Sequence, residues 1–142
     1  MTEWKVAETN THQDHVIAHV IGASVLAHFT WDETAYLLLD IGFIWNIYLD
    51  GEMGLVPQRM AVSELDASAD VKAEIQSDVD RISFSEEPSV VRLGICSARS
   101  PITSVDFLIS DDLRRLQLNC EEGKLVVETS LETTEVRIYE ET

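Results

Sequence analysis

Residues 43–53 read FIWNIYLDGEM, and the way they alternate decides the fold class. In a strand, Phe43, Trp45, Ile47 and Leu49 point one way and Ile44, Asn46, Tyr48 and Asp50 the other. Both sides are largely apolar. Asp50-Gly51 then forms a turn dipeptide, because glycine reaches the positive φ that tight hairpin turns require. A strand apolar on both faces must be covered twice. A helix would serve one side, and a second copy of the chain is the expected cover for the other, with Trp45 and Tyr48 at that interface.

Working outward, TAYLLLDIG (34–42) is the expected neighbouring strand, turning near Gly42, and SVLAHFTW (24–31) a third, ended by Asp32-Glu33-Thr34. The helix comes from 63–84, SELDASADVKAEIQSDVDRISF. At helical steps Leu65, Val71, Ile75, Val79 and Ile82 fall in one stripe about 120° wide, the pattern of a helix lying on a core. Ser63 followed by Asp66 is a variant of a capping box and sets the expected start. Further on the period becomes two: RRLQLNC (114–120) alternates Leu116, Leu118 and Cys120 against Arg115, Gln117 and Asn119. EEG turns the chain, and KLVVETS and VRIYE complete a meander. VVRLGI (90–95) and SVDFLIS (104–110) are expected in the same sheet. The reading is α+β: mostly antiparallel sheet, one main amphipathic helix at about 63–82, and one globular domain over 1–142.

Composition bounds the function classes. With 142 residues, 45% hydrophobic and 25% charged, the chain is too apolar to be disordered. At this length folding buries roughly two-thirds of the unfolded surface, so neither metal nor disulfide is needed to fold. Twenty-six acids against ten bases give a net charge of −16. Such a surface repels phosphate backbones and anionic headgroups, so neither nucleic acid nor membrane is an expected partner. The apolar runs 16–31 and 35–49 fall short of the ~20 residues a spanning helix needs. The polar start MTEWKVAETN is unlike a secretion signal, so Cys96 and Cys120 are expected as free thiols in a cytoplasmic protein.

Chemistry concentrates in NTHQDHVIAH (10–19), which holds three of the four histidines. On a helix, His12, His15 and His19 fall within about 60° of one another and would converge on one divalent transition metal, with Asp14 as a supporting acceptor. On a strand His15 and His19 share a face and His12 leaves it. Both readings stand, so a short N-terminal helix is an open alternative. Val16 follows His15 where the H-E-x-x-H pattern needs a glutamate, which removes that metalloprotease signature. His28, among Phe29 and Trp31, is read as a strand residue with no catalytic part, and the acid row Asp66, Asp70, Glu74, Asp78 as a solvated helix face. Cys96 and Ser100 lack a nucleophile elbow, and no phosphate-binding glycine loop is present. The expected function is a non-catalytic binding or assembly module, a homodimer or the binder of another protein, with no cofactor. The second expectation is a metal-binding domain or metal-dependent enzyme built on His12, His15 and His19.

Overall fold

A computed structural model describes residues 3–86, 92–96 and 100–141. The fold is α+β with sheet dominating. Its elements in chain order are β1 (Lys5–Val6), α1 (Thr11–Val20), β2 (Val25–Trp31), β3 (Thr34–Leu39), β4 (Phe43–Tyr48) and β5 (Met53–Pro57). Then come α2 (Gln58–Ser63), α3 (Ala69–Ser83), β6 (Gly94–Ile95), β7 (Ile102–Ser110), β8 (Leu113–Cys120), β9 (Gly123–Ser130) and β10 (Val136–Glu141).

The strands form two five-stranded antiparallel sheets, ordered β5-β4-β3-β2-β6 and β1-β7-β8-β9-β10. Each is largely a meander, so most pairing is between sequence neighbours joined by short turns. Two pairings are long-range. Lys5 and Val6 pair with Ile109 and Leu108, and Gly94 and Ile95 return to His28 and Ala27. The first sheet is therefore completed by β6, so 94–95 of the VVRLGI segment belong with β2 rather than with the C-terminal meander. Val90 and Val91 lie outside the described residues.

The β2–β5 sheet is buried on both faces. Leu37, Leu39, Trp45 and Ile47 point into a core shared with Leu116, Leu118, Leu125 and Val127 of the other sheet. Phe29, Tyr36, Leu38 and Ile44 point the opposite way, onto Val62, Leu65, Ile75, Val79 and Ile82 of the helical layer. The order is helices, sheet, sheet. The second cover that FIWNIYL demands is thus supplied by the chain's own C-terminal sheet, which corrects the expectation that a partner supplies it.

One turn shows how closely the sheets approach. Gly51 has φ +92°, and a β-carbon there would run into the ring of Phe107 on the facing sheet. Glycine is required at that position for both reasons.

The helical layer also departs from expectation. Ser63 does not cap the long helix; it ends α2, where its hydroxyl donates to the Met60 carbonyl (3.0 Å). The long helix begins at Ala69, with Ser68 as N-cap accepting from the Val71 N–H (3.3 Å). Leu65, in the link between the helices, still enters the core, which is why it completed the apolar stripe. Among the described residues no helix is long and apolar enough to cross a membrane.

Candidate functional site

The histidine stretch is helical. Asn10 caps α1 by accepting from the Gln13 N–H (2.8 Å) while the Gln13 side chain accepts from the Asn10 N–H (2.9 Å). That reciprocal box satisfies two orphan donors at once. Gln13, Val16 and Val20 form the buried stripe, and the valines join the inter-sheet core. The amide of Gln13 also donates to the Gly51 carbonyl (3.1 Å), tying α1 to the turn after β4.

His12, His15 and His19 lie beside this stripe and are exposed. His12 Nε2 is 2.9 Å from the Met53 carbonyl on β5, so that ring is engaged with the sheet edge. Asp14, the expected supporting acceptor, receives the Thr9 hydroxyl. Among the described residues no group of three or more His, Cys, Asp or Glu side chains is arranged to hold a metal ion. The backbone realises the helical spacing, but the three rings are not gathered around one point.

The two residues expected at an interface have separate fates. Trp45 is 0% exposed and sits in the inter-sheet core, beyond reach of any partner in the folded chain. Tyr48, at the end of β4, is 44% exposed.

His28 lies across from Gly94. Burial pushes its imidazole below the ordinary histidine value, and the Glu140 carboxylate pulls in the opposite direction. Cys96 is buried in the inter-sheet core and Cys120 is half-buried; both are free thiols, and burial raises the Cys120 pKa. The Ser100 hydroxyl is buried and accepts from the Glu122 N–H (3.0 Å), so it ties down a turn.

The isolated acids have structural work. Asp40 accepts from the Ser24 N–H (3.0 Å), tying the end of β3 to the start of β2, and Asp50 accepts from the Glu52 N–H (3.0 Å) as a local turn cap. Asp32 and Glu33 form the β2–β3 turn and, with Asp66, line an open cleft of about 490 Å³. The acid row on α3 is not a uniformly solvated face. Glu74 pairs with Arg92, and Asp78 is fully buried and accepts from the Arg92 N–H (2.9 Å).

Two features escaped the sequence reading. On the outer face of the C-terminal sheet, Glu128 accepts from Arg115 (3.0 Å), Arg137 (3.1 Å) and the Tyr139 hydroxyl (2.9 Å). Arg115 lies 4.5 Å over the Trp4 ring. Burial alone would push the Glu128 carboxyl up, but the hydrogen bonds from Arg115, Tyr139 and Arg137 outweigh it and hold it below the usual range.

The second feature is a groove of about 610 Å³ between α2 and α3, lined by Met60, Val62, Ala69 and Ala73 and flanked by Arg59 and Lys72. Met60 is 52% exposed there. The available signal was Pro57 ahead of QRMAV, a proline standing where a helix begins. Comparison with protein-family models, with curated proteins and with solved structures finds no match to this chain.

Proposed function

We propose that this chain is a non-catalytic binding module and that the α2–α3 groove is the surface it offers to a protein partner. The observation that carries this is Met60, half-exposed on an apolar floor completed by Val62, Ala69 and Ala73. Ala69 and Ala73 are one helical turn apart, so their small side chains leave a shallow channel where another helix can approach closely. Helix-in-groove recognition uses this geometry, with apolar anchors entering from the partner. The test is an NMR titration of the labelled protein with an uncharged amphipathic peptide of leucine and glutamine. Shifts confined to α2 and α3, and lost in Met60→Asp, are expected. Shifts centred on Tyr48 would transfer the role to the edge of β4 and favour the assembly reading.

A second reading has its own observation. Helix α1 turns His15 and His19 to solvent at i,i+4 spacing, which suits bidentate capture of a divalent transition metal. His12 joins only by leaving the Met53 carbonyl. A metal-binding domain or metal-dependent enzyme would gain thermal stability from zinc or nickel, because the metal binds the folded chain preferentially. His15→Ala and His19→Ala should each remove that gain, and affinity should fall on acidification, because a ligating imidazole must be neutral. Melting curves with metal and with chelator decide it; no shift in the wild type ends this reading.

A further inference from the structure

The charges around the α2–α3 groove specify its occupant: we infer that the groove takes an acidic amphipathic helix of another protein, an inference that rests on the binding-module reading above. The chain as a whole is strongly acidic, at −16. Against that background both side chains flanking the groove in a position to carry charge outward are basic, Arg59 on α2 and Lys72 on α3.

Neither is spent on a carboxylate. Arg92, Arg115 and Arg137 pair with Glu74, Glu128 and Glu135, and among the described residues no carboxylate pairs with Arg59 or Lys72. Lys72 Nζ instead donates to the Ser63 carbonyl (2.9 Å), which holds the ammonium beside the groove while leaving its charge uncompensated. One carbonyl engages one of three donors, so the others remain for a partner carboxylate. Asp70 and Glu74 lie on the same helix as Lys72. At helical steps they turn about 100° or more away from Ala69. Asp80, one turn beyond Gln76 on the groove side of the helix, accepts from the Gln76 amide (2.9 Å).

An apolar floor between two uncompensated cations selects an apolar face bordered by acids. Two alternatives are disfavoured by the same charges. A basic amphipathic helix would set its own cations against Arg59 and Lys72. A second copy of this chain, meeting groove to groove, would set its own Arg59 and Lys72 against the same pair.

Three synthetic peptides with one leucine face test this, their polar faces built from glutamate, glutamine or lysine, each titrated by fluorescence anisotropy. The glutamate peptide should bind about ten-fold more tightly than the glutamine peptide at low salt, with the advantage lost near ~1 M salt, where screening shortens to about 3 Å. Arg59→Glu alone, and Arg59→Glu with Lys72→Glu, should cancel the preference without lowering the melting temperature. The double variant should favour the lysine peptide. If all three peptides bind equally and Met60→Asp abolishes each, the groove binds helices but the charge inference is overturned. If none binds, the binding-module reading fails and takes the inference with it. A concentration-dependent dimer in sedimentation that Met60→Asp dissolves would make the occupant a second copy and overturn the acidic-partner inference.

Discussion

Gly94 stands directly across from His28 in the β2–β6 pair, and a β-carbon at Gly94 would lie 2.5 Å from Cε1 of the imidazole and 3.1 Å from both ring nitrogens. The ring therefore uses the space that the missing side chain leaves. Gly94→Ala should destabilise the fold by about 1–3 kcal/mol through overpacking. In the His28→Ala background the same substitution should cost much less, because the obstructing ring is gone. Chemical denaturation of the four proteins of this cycle measures the coupling. Additive costs would show that the ring moves aside freely.

The same histidine makes stability depend on pH. Burial lowers the His28 pKa in the folded state, with Glu140 opposing. The unfolded chain then binds the proton more readily, so stability rises with pH across this window. The contribution is complete above the unfolded value near ~6.5 and is lost as pH falls toward the lower folded value. Melting temperatures should therefore decline between about pH 7 and pH 5, and His28→Gln should flatten the decline. An unchanged slope in His28→Gln would assign the decline to other groups.

Trp45 and Tyr48, three residues apart on one strand, should separate cleanly in mutagenesis. Trp45→Ala removes a fully buried ring from the inter-sheet core and should cost about 3–5 kcal/mol. Trp45→Phe should be much milder, since the indole N–H has no hydrogen-bond partner to lose. Tyr48→Ala should change stability by no more than about 0.5 kcal/mol, as surface substitutions usually do. Urea titration across micromolar concentrations checks this. A concentration-dependent midpoint sensitive to Tyr48→Ala would show that the exposed tyrosine belongs to an interface between copies.

How far the sequence spoke depends on which signal is local. Alternation found β4, β8, β9 and β10, because each carries its own period of two. β2, β3 and β7 are legible only as neighbours of these; β3 is buried at every position and shows no such period. The stripe at 71–82 found α3 because it too carries its own period. Its start was misplaced because Ser63 and Ser68 both suit a cap, and Leu65 is buried from the link and mimics a further helical turn. Lys5–Val6 was invisible, and Gly94–Ile95, read as strand within VVRLGI, was placed in the wrong sheet. Their partners, β7 and β2, are set by long-range pairing that no window of two residues encodes. The demand for a second cover over FIWNIYL was legible; the identity of that cover was not, since Leu116, Leu118, Leu125 and Val127 lie some seventy residues later in the chain. For α1, the capping pair Asn10 and Gln13 and the stripe Gln13, Val16, Val20 favoured helix over strand, but the β-branched run obscured them. The groove stayed hidden because it exists only once α2 is set against α3.

The Glu128 cluster allows an ordering of costs. Glu128 accepts from Arg115, Arg137 and Tyr139 together, and its side chain is only 10% exposed. Glu128→Gln keeps the shape but withdraws the charge from two guanidinium groups, and should cost about 1.5–3 kcal/mol, the range for hydrogen bonds to charged groups. Arg115→Ala should cost as much or more, since it also ends the contact over Trp4 and exposes the carboxylate's buried side. Arg137 is 58% exposed, so Arg137→Ala should cost no more than about 1 kcal/mol. The pH sign follows from the lowered Glu128 pKa. Its stabilisation is present above the ordinary carboxylate value of 4.5 and is lost as pH falls through the lower folded value. Acid unfolding of the wild type should therefore be steeper than that of Glu128→Gln, in which no proton remains to be taken up at this position. Equal costs for Arg115→Ala and Arg137→Ala, or equal acid slopes in wild type and Glu128→Gln, would mean that solvent rather than the cluster governs this carboxylate.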